Sequence, residues 1–115
     1  MRILLALLLP IGDTLFATPA IHALRRRYPD ARMTALVYPT NKGILDNNPD
    51  IDDFLLWPTR QSTRNTLNFP RLIRKVRRTR YDQSVEFASY LAWFTKLATG
   101  IPRRTYMKMP GLWWL

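Results

Sequence analysis

The 115-residue sequence contains no cysteine and a single histidine, His22. A disulfide framework, a thiolate nucleophile and a cysteine-based metal site are therefore excluded, and one histidine cannot anchor a typical zinc site. No apolar run approaches the roughly 20 residues that a bilayer-spanning helix needs. Acidic residues are scarce as well: eight Asp and Glu stand against 18 Lys and Arg, which gives a formal net charge of +10. This excess favours an anionic partner, and phosphate, nucleic acid and a membrane surface all qualify.

Apolar residues, in contrast, are plentiful: 47% of the sequence is hydrophobic and 12% is aromatic, which predicts a folded chain with one core. The N-terminal run from Ile3 to Leu9 resembles the apolar part of a secretory signal, and small residues follow from Ala17 to Ala20. Pro10 to Asp13, however, interrupts this run with a turn and a carboxylate, and the helical pattern behind it has no use in a cleaved leader. A buried first strand is the better interpretation.

Strands and helices alternate along the sequence. Continuous apolar residues from Ile3 to Leu9 predict a strand covered on both faces. Further strands are predicted for Met33 to Tyr38, Asp53 to Trp57, Gln83 to Phe87 and Arg103 to Met107. Helices are predicted for Thr14 to Tyr28, Lys42 to Asp46, about Phe69 to Arg80 and about Tyr90 to Ala98, with a polar loop from Pro58 to Thr66. This alternation predicts an α/β fold with a doubly wound, Rossmann-like parallel sheet.

Proline and glycine set some of the boundaries. Pro19 has no amide hydrogen, so we expect the regular part of the first helix to begin close to it. Gly100 is predicted to cap the last helix in the left-handed conformation. The sequence ends in an apolar tail with two adjacent tryptophans, Met109 to Leu115. Because such a tail normally packs against something, we expect residues 1–115 to form one α/β domain of a larger protein.

The turn after the first strand is the first place to look for a ligand, because ligands of doubly wound sheets bind outside the carboxyl ends of the strands. In this turn Gly12 allows close approach of the backbone, and Asp13 stands where the helix begins. Asp13 fits two roles, a carboxylate directed into the cleft and a helix N-cap, and both can hold together. A dinucleotide G-x-G-x-x-G fingerprint and a P-loop are absent from the sequence.

The second candidate feature is a basic helix. Six of the ten residues from Arg71 to Arg80 are Lys or Arg, and none is acidic. Such a run is typical of a solvated outer face, and the alternative is contact with anionic lipid headgroups. The residues for that contact are Arg71, Arg74, Lys75 and Arg78. Nucleic acid is disfavoured because no aromatic residues interleave with the cations. His22 is predicted to be a packing residue among apolar neighbours of the first helix.

Four stretches carry a resemblance to a known family. Ile11–Ile21 and Ala23–Ala31 resemble the opening of glycosyltransferase family 9, the lipopolysaccharide heptosyltransferases. Asn48–Asp52 and Arg80–Glu86 resemble later elements of that family. The Gly12-Asp13 pair with Ala17-Thr18-Pro19-Ala20 is the most specific part of the match, which extends over most of the chain.

The resemblance implies the N-terminal, acceptor-binding half of a two-domain GT-B enzyme, with the C-terminal donor-binding domain absent from residues 1–115. Such an enzyme moves a heptose from ADP-heptose to the lipopolysaccharide inner core with inversion. It needs no metal or cofactor, since the ADP-sugar is a substrate. Its partners are the lipopolysaccharide core acceptor and the nucleotide-sugar donor, and its place is cytoplasmic and peripheral at the inner membrane. This half alone is expected to be inactive.

The resemblance also implies site residues. Asp13 matches the catalytic base, and its neighbours Gly12 and Thr14 would shape the pocket. Arg60 and Arg64 are candidates for gripping phosphates or Kdo carboxylates of the acceptor, with a solvated loop as the alternative. Glu86 is a weaker substrate-binding candidate, with a structural ion pair as the alternative.

Two departures from the family pattern concern acceptor contacts. Leu9-Pro10 replaces small hydroxyl residues, and the stretch from Glu86 to Ser89 keeps only the acid of the usual strand end. The competing function is a non-catalytic basic α/β module that binds anionic membrane or nucleic acid through Arg71 to Arg80.

Overall fold

A computed structural model of the protein describes residues 1–58, 65–87 and 100–106. Within these residues, five parallel strands form one sheet in the order β3-β2-β1-β4-β5. The strands are β1 (Arg2–Ala6), β2 (Arg32–Val37), β3 (Asp53–Leu56), β4 (Gln83–Glu86) and β5 (Arg103–Tyr106). The helices are α1 (Ile11–Phe16), α2 (Thr18–Arg27), α3 (Lys42–Leu45) and α4 (Asn65–Thr79), with a 3-10 turn at Pro39–Asn41. The predicted doubly wound α/β sheet is confirmed.

The order of the strands creates a crevice beside β1. From β1 the chain proceeds outward through β2 to β3, and it then returns through α4 to place β4 on the other side of β1. With right-handed crossovers, this change of direction puts the helices of the two halves on opposite faces of the sheet. The segments that follow β1 and β4 therefore leave the sheet in different directions. The space between them, at the carboxyl ends of these two strands, is where a ligand can bind.

The core consists of the sheet and the inner sides of the helices. Ile3, Leu4 and Leu5 of β1 are fully buried, as a central parallel strand requires. Leu72 and Val76 of α4 are buried and Ile73 packs partly against the core, so these three residues form the inner side of this helix.

The first strand is shorter than predicted, and the first helix is divided. Strand β1 ends at Ala6, although the next three residues, Leu7, Leu8 and Leu9, are also buried. The apolar run predicted burial correctly, but a buried residue need not belong to the sheet. The predicted helix from Thr14 to Tyr28 is two helices, α1 and α2, joined at Ala17. Pro19 lies in the first turn of α2, so the expectation that a regular helix begins close to this proline is confirmed.

Helix α4 begins earlier and ends earlier than predicted. Pro70 lies inside this helix rather than in its first turn, and the predicted loop residues Asn65 and Thr66 are helical. The helix ends at Thr79 because Arg80 adopts a left-handed conformation with φ 56°. Gly100 has φ 67°, which agrees with its predicted left-handed geometry. The predicted helix at Tyr90 to Ala98 and the tail at Met109 to Leu115 lie outside the described residues.

Arg25 fastens α2 to the loop before β3. Its guanidinium donates to the main-chain oxygens of Asp50 and Ala31 and forms an ion pair with Asp52 at 2.8 Å. His22 is 61% exposed and its Nδ1 lies 3.0 Å from the Asp50 carboxylate, so its predicted packing role is wrong. The reason is its position on the outer side of α2, where Asp50 from a neighbouring loop reaches it.

Candidate functional site at the carboxyl edge

The candidate site lies where β1 and β4 end side by side. Ala6, the last residue of β1, is in register with Glu86, the last residue of β4. The Phe87 amide donates to the Ala6 carbonyl at 3.2 Å, which holds the two strand ends together just before the chain turns away. The loop after β1 leads directly into α1, which carries Asp13.

Asp13 is the third residue of α1 and is half-buried. The N-cap of this helix is Pro10, and no side chain caps it, so the N-cap interpretation of Asp13 is wrong. The helix begins at Ile11, three residues earlier than an N-cap at Asp13 requires. Among the described residues, no side chain or amide donates a hydrogen bond to the Asp13 carboxylate. The carboxylate is thus rigidly mounted on a helix and still accessible to solvent.

Buried polar contacts fix the turn that carries Asp13. The Thr14 hydroxyl lies 2.9 Å from the Pro10 carbonyl and 3.4 Å from the Leu9 carbonyl, and it donates to this pair of oxygens. The Asn41 side-chain amide donates to the Leu9 carbonyl at 2.6 Å. Thr14 is fully buried, so it shapes the pocket only by holding the turn and does not face a ligand.

The sequence interpretation gave Asn41 no role, because it lies in the short segment between the predicted second strand and the next helix. It is 2% exposed and belongs to the 3-10 turn after β2. A polar residue at the carboxyl end of the strand next to β1 was the available signal. Only the fold, however, brings Asn41 against Leu9 and Thr14.

Gly12 lies on the exposed side of α1. A side-chain carbon at this position would have no heavy atom within 4 Å, so packing does not require a glycine. Ile11, Leu15 and Phe16 of the same helix are each more than half exposed. Asp13 therefore shares α1 with an open glycine and with unusually exposed apolar side chains.

The remaining substrate-binding candidates are less accessible or lie outside the described residues. Glu86 is at the same edge of the sheet as Asp13, but it is only 1% exposed. Its predicted contact with substrate and its alternative as an ion pair both stay predictions. Arg60 and Arg64 lie outside the described residues.

The candidate membrane-contact residues form a separate surface. Arg71, Arg74, Lys75 and Arg78 are all exposed on α4. They lie on α4, which connects β3 to β4, and the fold does not bring them to the turn that carries Asp13. In the described ranges, no cluster of His, Asp and Glu is arranged to hold a metal ion, and no helix is long and apolar enough to cross a bilayer.

No protein-family model matches the chain. Lipopolysaccharide heptosyltransferase 3 from Escherichia coli is 34% identical over 73 residues, which are 62% of this chain and 22% of that protein. The protein of the same name from E. coli strain K12 is 44% identical over 41 residues, 36% of this chain and 12% of the relative. The chain thus spans less than a quarter of the length of these curated relatives.

Solved structures share the fold. The glycosyl transferase family 9 structure from Veillonella parvula aligns with a TM-score of 0.74 and 20% identity over 93% of this chain and 36% of its own. E. coli ADP-heptose lps heptosyltransferase II aligns with a TM-score of 0.73 and 23% identity over 92% of this chain and 30% of its own. The chain is heptosyltransferase-like in sequence and fold, which confirms the resemblance seen in its motifs.

Proposed function

We propose that this chain supplies the acceptor-binding, N-terminal half of an inverting heptosyltransferase, with Asp13 as the catalytic base. The observation that carries the proposal is the Asp13 carboxylate: it is half-buried, accepts no hydrogen bond from the described residues, and stands at the carboxyl edge of a doubly wound sheet. The sequence similarity to heptosyltransferase 3 supports the choice of reaction.

The proposed reaction is a single displacement at the anomeric carbon of the donor sugar. Asp13 takes the proton of an acceptor hydroxyl while the hydroxyl oxygen forms a bond to that carbon. The bond between the carbon and the diphosphate oxygen breaks, and ADP leaves with the electron pair. Attack from the face opposite the leaving group inverts the configuration. The proton that Asp13 accepts and the charge that leaves with ADP balance the step.

General-base catalysis requires the base within about 3 Å of the proton that it removes, so the carboxylate must be held in a fixed place. Asn41 and Thr14 serve this requirement because they lock the Leu9 and Pro10 carbonyls immediately before α1. Gly12 beside Asp13 leaves room for a substrate to approach the helix. The local geometry suits a base on a rigid mount.

The partners follow from the reaction. The acceptor is the lipopolysaccharide core, and the donor is ADP-heptose, held mainly by a C-terminal domain outside residues 1–115. Glu86 and the loop arginines Arg60 and Arg64 are the further candidates for acceptor contact. The reaction needs no metal and no cofactor, and it takes place on the cytoplasmic side of the inner membrane.

The test uses Asp13→Asn in the longest natural polypeptide that contains these residues, assayed for transfer from ADP-heptose to lipopolysaccharide core. The amide keeps the shape of the side chain and removes its basicity. We expect kcat to fall by about 10²–10⁴-fold, the usual contribution of general-base catalysis.

Asp30→Asn is the matched control, since Asp30 is exposed and lies between α2 and β2, at the opposite edge of the sheet. It should leave transfer unchanged. Near-normal turnover of Asp13→Asn would contradict the assigned role. Absence of transfer by the unmodified protein would favour the non-catalytic basic module instead.

A further inference from the structure

The outer side of α4 carries a dense positive charge. Arg71, Arg74, Lys75 and Arg78 are exposed, while Leu72 and Val76 of the same helix are buried. At 100° per residue, Arg71, Arg74 and Arg78 fall on the side of the helix opposite the buried Leu72 and Val76, and Lys75 lies at the flank of that side. The helix holds no acidic residue.

Four of the eight acidic side chains contact basic side chains outside α4. Ion pairs join Asp46 to Lys42, Asp52 to Arg25 and Asp53 to Arg32, and a hydrogen bond joins Asp50 to His22. In the part of the chain that the structure describes, none of Arg71, Arg74, Lys75 and Arg78 forms an ion pair. Their charge is therefore not neutralised by the described part of the protein.

We propose that the outer side of α4 is a docking surface for an anionic phospholipid bilayer. This inference goes beyond the proposed transfer reaction and does not depend on Asp13. A rise of 1.5 Å per residue places Arg71 and Arg78 about 10 Å apart along the helix, which is close to the Debye length at 0.1 M salt. The four cations consequently act on a charged surface together, each contributing to adsorption.

A lipid surface fits this helix better than nucleic acid does. Binding of single strands without sequence preference uses aromatic side chains on which the bases stack. Residues 70–79 contain no aromatic residue. Ile73 and Pro70, in contrast, lie beside Arg74 and Arg78 in a shallow open depression, and they place apolar groups among the cations. This combination is typical of contact with a bilayer interface.

Docking through α4 has a geometric consequence. The Arg2 side chain, at the start of β1, donates to the Thr79 carbonyl at the end of α4. The helix therefore ends at the amino edge of the sheet and runs back along it from the carboxyl edge. A membrane that binds the outer side of α4 therefore lies parallel to the helix and alongside the sheet. In this orientation the crevice near Asp13, at the carboxyl edge, opens parallel to the membrane surface.

The experiment measures binding of the 115-residue protein to vesicles by co-sedimentation. The vesicles contain phosphatidylglycerol mixed with phosphatidylcholine, and vesicles of phosphatidylcholine alone are the reference. The test variant is Arg74→Gln with Arg78→Gln, both on the exposed side of α4. The matched control is Arg26→Gln with Arg27→Gln, two exposed cations at the end of α2 whose loss changes the net charge equally.

We expect the unmodified protein to bind the anionic vesicles, and binding to weaken as salt is raised. The α4 variant should bind about 30-fold more weakly at low salt, the factor that corresponds to about 1 kcal/mol for each cation near the surface. The α2 control should lose clearly less. Circular dichroism of both variants checks that the fold is retained.

Three outcomes would overturn the proposal. Equal losses in both variants would attribute binding to net charge alone. Undiminished binding by the α4 variant would leave the outer side of α4 as a solvated surface. Tighter, α4-dependent binding of a single-stranded oligonucleotide than of the anionic vesicles would assign the surface to nucleic acid instead.

Discussion

The Leu9 carbonyl, just before α1, accepts its short hydrogen bond from a side chain that is distant in the sequence. Asn41 donates to this carbonyl at 2.6 Å from a side chain that is 2% exposed. A buried carbonyl that loses its donor retains the full cost of desolvation. The Asn41 amide is consequently a structural requirement of the turn that carries Asp13.

Asn41→Ala should lower the free energy of unfolding by about 1–3 kcal/mol, because it leaves the buried Leu9 carbonyl with only the long 3.4 Å contact to the Thr14 hydroxyl. Asn47→Ala, the same substitution at an exposed asparagine, should change it by less than about 0.5 kcal/mol. Urea denaturation of both variants measures the difference. Equal stability of the two variants would mean that Asn41 does not hold the turn.

Asp52 links α2 to the second strand through its ionised form. Burial opposes the charge, but the Met33 amide and the Arg25 guanidinium both donate to the carboxylate and hold the pKa of Asp52 below its ordinary value of 3.8. A carboxyl group whose pKa is lowered by folding stabilises the protein above its unfolded pKa. That stability is lost as the pH falls through the folded pKa.

Asp52→Asn should therefore be less stable than the unmodified protein at pH 7 and should lose this disadvantage in acid. The side chain is 36% exposed, so solvent weakens the ion pair and the gap should be about 1 kcal/mol. Urea denaturation at pH 7 and at successively lower pH below 3.8 follows the gap. A gap that stays constant into acid would exclude the ionised carboxylate as its source.

Among the helices, α1 has one open position next to Asp13 on one side and one fully buried position on the other. It has a glycine with no packing requirement at Gly12 and a fully buried threonine at Thr14. Glycine inside a helix costs stability relative to alanine. Since the described packing does not require Gly12, ligand approach is the remaining physical reason for it within the proposed function.

Gly12→Ala should raise the free energy of unfolding by about 0.5–1 kcal/mol and should lower transfer activity by adding a methyl group where the acceptor approaches. Gly43→Ala in α3 is the control, because that glycine also has no heavy atom within 4 Å of an added side-chain carbon. It should gain similar stability without a change in kcat/KM. Unchanged transfer by both variants would separate Gly12 from the substrate.

Two prolines, Pro19 and Pro70, lie within helices, and the sequence predicted the start of the first of these helices better than the start of the second. Pro19 was expected near the start of a helix, and α2 begins at Thr18. The basic helix was predicted to start near Phe69, whereas α4 begins at Asn65 and has Pro70 inside it. A proline in the first turn costs no hydrogen bond, because the amides there have no partner within the helix. A proline farther inside removes one main-chain hydrogen bond, so an interior position such as that of Pro70 is disfavoured but not forbidden. Sequence alone does not decide between these cases.

At the scale of the whole molecule, the order of the strands creates the site. Asp13 follows β1 and Glu86 ends β4, and the parallel pairing of these strands brings both acids to one edge of the sheet. Alternation of strands and helices predicted the class of fold and the kind of edge where ligands bind. It did not predict that Glu86 is sealed, because the burial of a side chain depends on residues that pack over it from elsewhere in the chain.

The sequence by itself determined the succession of strands and helices, the left-handed Gly100 and the unbroken positive charge of α4, since each depends on neighbouring residues or on composition. The tertiary structure alone decided that Thr14 turns inward, that Asn41 reaches Leu9, that His22 meets Asp50, and that Asp13 keeps an accessible carboxylate. These features join residues that are distant along the chain. A periodic pattern records which residues are apolar, whereas the partner of each polar group is fixed only when the strands are ordered and the helices are packed.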